Sequence, residues 1–172
     1  PQKTEQVLDI WDAKYQAEGL GSLKEAMRTA MEHLPKRWMF YKLDADKIKT
    51  ATFLVMTQNK MAVMAFDSYY KAARRKDYSG LYLLQLMFDL FMKKIIWGEM
   101  CEKGISADWQ PGTDYRNMLR QEGENTTLGP NMSLLLWGSA SGWNKTLIPE
   151  EYRKPALSAT ETLIVSGDLD VA

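Results

Sequence analysis

The chain has 172 residues, 45% hydrophobic and 26% charged, with 22 basic against 22 acidic side chains. That length and balance suit one ordinary globular domain with a real core. Zero net charge argues against a nucleic-acid binder that works by neutralising phosphates, and a single cysteine, Cys101, excludes an intrachain disulfide and a cysteine-built zinc site.

A first helix is predicted over about Thr4 to Ala17, where Val7, Leu8, Trp11 and Tyr15 recur at helical spacing before Gly19 and Gly21. Ser22 and Glu25 make a capping-box pattern for a second helix. Leu23, Met27, Ala30, Met31 and Leu34 form its apolar face, and Pro35 ends it. His33, the only histidine, falls near its C-terminus, where partial positive charge is favoured, and reads as a capping or surface residue. Lys36 to Leu43 is a connector with room for a short extended piece. Asp44 is placed to cap a third helix through about Gln58, with Ile48, Ala51, Thr52, Val55 and Met56 inward. After Asn59, the residues Met61, Met64, Ala65, Tyr69 and Ala72 mark a fourth helix to Arg75, whose solvated end is Arg74-Arg75-Lys76.

Ser79 is predicted to cap the most apolar helix, Gly80 to about Trp97. Leu81, Leu84, Phe88, Phe91 and Ile95 form one stripe, and Leu83, Leu86, Met87 and Leu90 widen it until it nearly encircles the axis. Only Tyr82, Gln85, Asp89 and Lys93 remain as a polar line, with Asp89 and Lys93 spaced for an ion pair. Gln85, Asp89 and Lys93-Lys94 interrupt the apolar run, so it reads as the central helix of a bundle and not as a membrane span. Pro111-Gly112 signals a turn, and Asp114 caps a short helix through Arg120. Gln121 to Gly129 is polar and reads as a mobile loop. Pro130 opens another helix, Asn131 to about Ser139, and Pro149 a short one through Arg153.

The chain closes on Glu161 to Ala172. Thr162-Leu163-Ile164-Val165 is an unalternating apolar run stopped by Ser166-Gly167, as in a strand buried on both faces of a parallel sheet. Such a strand needs neighbours that the rest of the sequence does not offer. Asp168 and Asp170 follow at its C-terminal end, where α/β sheets keep their chemistry. The expectation is therefore a part of something larger, with Pro1-Gln2-Lys3 as a cut boundary and not a signal peptide.

Motifs elsewhere are sparse. Gly138-Ser139-Ala140-Ser141-Gly142 fails as a nucleophile elbow because its central residue is Ala140 and a helical segment precedes it. No Gly-x-Gly-x-x-Gly, Walker loop or His-Glu-x-x-His occurs, so no cofactor or metal is expected. Asn125, Asn131 and Asn144 stand in glycosylation sequons, which matter only on a secretory route.

A buried strand running into Ser166-Gly167-Asp168-Leu169-Asp170 resembles the seventh strand of the α/β-hydrolases, whose strand-end Asp is the acid of a Ser-His-Asp triad. By match to Gly-x-x-Asp that acid is Asp170. An ordinary strand-to-turn transition fits the same dozen residues equally well. The long helix-rich stretch upstream is similar to the helical lid inserted after the sixth strand in the prolyl and tripeptidyl aminopeptidase-like branch. Trp137 to Trp143 followed by Ile148-Pro149-Glu150-Glu151-Tyr152-Arg153 looks like the end of such a lid, and Ile96-Trp97-Gly98-Glu99 resembles its long helix. The likeness covers nearly the whole chain and is most specific toward its C-terminus.

This resemblance implies a mainly α, multi-helix lid over residues 1–160 and a strand stub of the α/β core over 161–172. It implies a peptide, ester or amide substrate and the catalytic core as partner. Lids of this branch often hold the substrate's amino group with a carboxylate. Glu99 is the candidate for that role, with Trp97, Trp137 and Trp143 lining the pocket. A solvent-facing glutamate is the simpler reading of Glu99 on the residues alone. The nucleophile elbow, the oxyanion loop and the downstream histidine of that family are missing here. His33 cannot stand in, because the family's histidine follows the acid. The chain by itself is thus expected to be inactive, and to dimerise through apolar surface that the core would cover. The rival from another class is a free-standing all-α binding or interaction module with a Met- and Trp-rich face. An intact small enzyme built on Asp168, Asp170 and His33 matches no acid–base template.

Overall fold

The computed structural model describes residues 2–105, 109–140, 142–143, 146–153, 160–161 and 163. Among them the fold is mainly α, with nine helices and one two-stranded antiparallel sheet. Helix α1 (Gln2–Ala17) buries Val7, Leu8, Trp11 and Tyr15, the stripe expected from its period. Gly19 and Gly21 turn the chain at φ 75° and 85°, where a side chain would be strained. Helix α2 (Leu23–Glu32) is capped by Ser22, whose Oγ accepts the Glu25 N–H at 3.1 Å. Only half of the capping box forms. Glu25 turns to Arg28, and the Ser22 hydroxyl donates to Asp12 at 3.0 Å. His33 is the exposed C-cap of α2.

The connector is a tight β-hairpin, β1 (Arg37–Trp38) and β2 (Tyr41–Lys42), with Arg37 opposite Lys42 and Trp38 opposite Tyr41. Asp44 caps α3 (Ala45–Val55), accepting from the Asp46 and Lys47 amides at 3.0 and 3.3 Å. Helix α4 (Asn59–Arg75) buries Ala62, Ala65, Phe66, Tyr69, Tyr70 and Ala72. Met64, expected inward, is 61% exposed, and Phe66, nearly opposite it on the helix, is buried instead. Phe66 meets Trp11 and Tyr15 edge-on, at centroid distances of 5.3 and 5.9 Å. Full burial of such side chains contributes about 1.5–3 kcal/mol each. A buried polar pair, Thr52 Oγ and the Tyr69 hydroxyl, is hydrogen-bonded at 2.8 Å.

Helix α5 (Ser79–Met92) differs most from expectation. Ser79 lies inside the helix, where its N–H is bound by the Asp77 carboxylate at 3.0 Å. The helix stops at Met92, and the Lys94 N–H tightens onto the Phe91 carbonyl at 3.0 Å. It is not encircled by other elements either. Leu81, Leu84, Gln85 and Phe88 are buried, whereas Leu83, Met87, Leu90 and Phe91 are exposed. Asp89 pairs with Lys47 at 2.7 Å and not with Lys93.

Helices α6 (Trp97–Ile105), α7 (Tyr115–Gly123) and α8 (Asn131–Ala140) form a second, smaller cluster around Cys101, Ile105 and Ala140. Asp114 caps α7 through the Asn117 amide at 3.0 Å. Helix α8 also packs on α3, and Leu128 joins the main core. The polar stretch before it is anchored: Glu5 accepts from the Thr127 N–H and hydroxyl at 2.8 and 2.9 Å. Helix α9 (Glu150–Arg153) is a single turn. Glu161 and Leu163 are exposed and in neither helix nor strand. The rest of the expected terminal strand, with Asp168 and Asp170, lies outside the described residues.

Candidate functional site

Helix α5 is apolar on two sides, so burying one stripe leaves another in water. Leu83, Met87, Leu90 and Phe91 stand at i, i+4, i+7 and i+8 and are 44–53% exposed. Beside them α3 contributes Ala51, Leu54 and Val55, and Gln58 follows at the N-cap of α4. With Leu84, Met87, Phe88 and Phe91 these line an open groove of about 250 Å³ in which, among the described residues, Gln58 is the only polar side chain. Past the end of α5, Ile96 and Met100 are also exposed. A larger cavity of about 540 Å³ lies between α2, α3 and the 124–127 turn, but Arg28, Glu32, Lys49 and Glu124 mix both charges around it. The α3–α5 groove is the one with the apolar lining of a ligand or partner site.

The second feature is aromatic. Trp109, Tyr115 and Trp137 stack in series, with centroids 4.7 and 4.8 Å apart and planes 30° from parallel. The Tyr115 hydroxyl accepts the Gln110 N–H at 2.7 Å, closing the Pro111-Gly112 turn. A cavity of about 360 Å³ opens beside the stack. Trp143 lies against the start of α6, where a Cβ added at Gly98 would sit 3.1 Å from its ring. The structure thus brings Trp97, Gly98, Glu99 and Trp143 together at one helix end and places Trp137 in the stack on α8.

Glu99 is exposed in the first turn of α6 and pairs with Lys103 one turn on. The Lys103 hydrogen bond and charge hold its carboxyl below the usual glutamate range. Asp170 lies outside the described residues.

A polar cluster on the inner side of α5 was not foreseen. Buried Gln85 accepts the Asp44 N–H at 2.9 Å and donates to the Lys42 carbonyl at 3.1 Å. One turn on, Asp89 receives the Tyr41 hydroxyl and Lys47. Burial alone would raise the Asp89 carboxyl, but the hydrogen bonds of Lys47 and Tyr41 and the Lys47 charge leave it lowered. The Asp89 hydrogen bond, with burial, pushes Tyr41 up to about 12. The sequence signal for this cluster was a polar line on an apolar helix, which reads as a solvent edge unless a partner element is known to cover it.

Among the described residues no group of three or more His, Cys, Asp or Glu side chains could hold a metal ion, and no helix is long and apolar enough to cross a membrane. No protein-family model matches the chain, and neither does any curated protein or solved structure.

Proposed function

We propose that this chain is the helical lid of a serine α/β-hydrolase of the aminopeptidase-like type, with Asp170 as the triad acid of the whole enzyme. The observation that carries the structural side of the proposal is the unpartnered apolar face of α5 and its groove against α3. Contiguous apolar surface of this kind marks a binding face. A lid has such a face because it closes over the catalytic core and excludes water from the reaction. The sequence resemblance supplies the identity of the core. Glu99, near Trp97 and Trp143, is the carboxylate for a substrate ammonium, with Lys103 as its counter-ion when no substrate is bound. Trp137 lines the pocket beside the aromatic stack.

The test is hydrolysis of aminoacyl anilides and simple esters by the 172-residue chain and by the product of the complete reading frame. The chain alone gives no turnover above buffer. The complete product hydrolyses, and Asp170→Asn in it lowers kcat by about 10⁴-fold, as loss of the orienting acid does elsewhere. Glu99→Gln raises KM roughly tenfold or more for substrates with a free amino group and leaves blocked substrates unchanged, the scale of a lost charged hydrogen bond. Turnover by the chain alone refutes the proposal, as does a reading frame with no Gly-x-Ser-x-Gly upstream and no histidine downstream. The second outcome, with tight apolar-ligand binding and no turnover, favours the free-standing binding module. In solution the uncovered α5 face drives dimerisation, which Leu90→Glu abolishes by light scattering.

A further inference from the structure

The hairpin between α2 and α3 displays two of the most exposed large apolar side chains among the described residues. Phe40 is 92% exposed and Met39 79%. They occupy the two turn positions of the hairpin, and Met39 takes φ 54°. Two-residue hairpin turns favour Asn, Asp and Gly, which reach positive φ cheaply and are at home in water. Met39 is costly on both counts and Phe40 on the second. Such local conflict concentrates at functional positions.

The stem is held rigidly from behind. Trp38 packs edge-on against Tyr78 and Tyr41 against Tyr82, at 5.8 and 5.3 Å. Strand alternation then sends the next pair, Arg37 and Lys42, to the opposite, solvent face. Two cations directly across a strand pair repel each other. Among the described residues neither side chain has an ion pair, and exposed Lys36 has none either. The carboxylates at the base are already engaged: Asp44 caps α3, and Asp89 holds Tyr41 and Lys47. An apolar tip collared by unneutralised cations on long, flexible stems complements one kind of partner. Its surface carries anionic headgroups over hydrocarbon.

We propose that the 37–42 hairpin is a peripheral membrane-docking element, with Met39 and Phe40 entering the bilayer interface and Arg37 and Lys42 binding anionic headgroups, Lys36 adding charge behind them. This stands independently of the hydrolase reading. The test is co-sedimentation of the chain with phosphatidylcholine vesicles, with and without phosphatidylserine. Binding requires phosphatidylserine and fades as salt rises. Arg37→Gln and Lys42→Gln each weaken it about fivefold. Phe40→Asp weakens it roughly tenfold or more, with the thermal midpoint unchanged because Phe40 is almost wholly exposed; Met39→Gln serves as the second tip variant. Three results overturn the proposal. One is equal binding to pure phosphatidylcholine, or none to either vesicle. Another is wild-type binding by the tip and cation variants. The third is a vesicle-free dimer that Phe40→Asp dissociates, which makes the hairpin a contact between copies of the chain.

Discussion

Gln85→Met isolates the clamp that holds the hairpin to α5. Gln85 is 2% exposed, and its amide spans the hairpin's exit, taking the Asp44 N–H and giving to the Lys42 carbonyl. Methionine has nearly the same length and volume, so the cavity contribution is small. What is lost is two hydrogen bonds to backbone groups that then face a thioether. Each buried group left unpaired costs about 1–3 kcal/mol. Lys42 is exposed, so water recovers part of its carbonyl's loss. The sum expected is about 2–3 kcal/mol, a fall in thermal midpoint of roughly 4–12 °C for a chain of this size. Far-UV circular dichroism through heat and urea gives the stability, and hydrogen exchange at the Asp44 amide gives the local effect. Gln85→Glu adds a control of known sign. Its carboxylate still accepts from Asp44 but has no proton for the Lys42 carbonyl. Burial favours its neutral form, so this variant gains stability relative to Gln85→Met as pH falls and the donor returns. A cost below about 0.5 kcal/mol, with exchange at Asp44 unchanged, refutes the reasoning. The hairpin would then be held by the Trp38–Tyr78 and Tyr41–Tyr82 ring contacts instead.

Acid stability should depend on Asp12 and Asp89. Burial opposes ionisation of Asp12, but hydrogen bonds from the Lys24 amide, the Ser22 hydroxyl and Gln16 outweigh it, so both carboxyls lie below the ordinary 3.8. A depressed folded value gives stability that is present above 3.8 and lost as pH falls through the folded value. Asp12→Asn and Asp89→Asn are therefore less stable than the parent at neutral pH, and the difference closes in acid titrations followed by circular dichroism. Gly80→Ala tests the close approach of α4 and α5. A Cβ there would lie 2.6 Å from Ser68 Cβ, so the helices must part, at a cost of about 1–3 kcal/mol in urea unfolding. Ser68→Gly in the same chain recovers most of it, and a purely additive double variant sinks the explanation.

Much of the candidate site could not be read along the chain. The Glu99–Lys103 pair is legible, since acid and base stand one helical turn apart. The contact of Trp143 with Gly98 and the Trp109–Tyr115–Trp137 stack are not, because residues on different helices share no period. The 121–129 stretch read as a mobile loop because it is polar. Its anchor, Glu5, lies at the other end of the sequence.

What the sequence determined by itself is local. The apolar stripe of α1, the caps Ser22, Asp44 and Asp114, and the mainly helical class follow from a 3.6-residue period and from side chains that bind their own backbone. Only the tertiary structure decided which side of α5 is core. A helix apolar on two sides has no single direction to prefer, so its neighbours choose. They bury Leu81, Leu84 and Phe88, enclose Gln85 because the hairpin supplies its partners, and leave Leu83, Met87, Leu90 and Phe91 in water. The same packing sets Met39 and Phe40 at the hairpin tip, beyond the reach of every helix behind it.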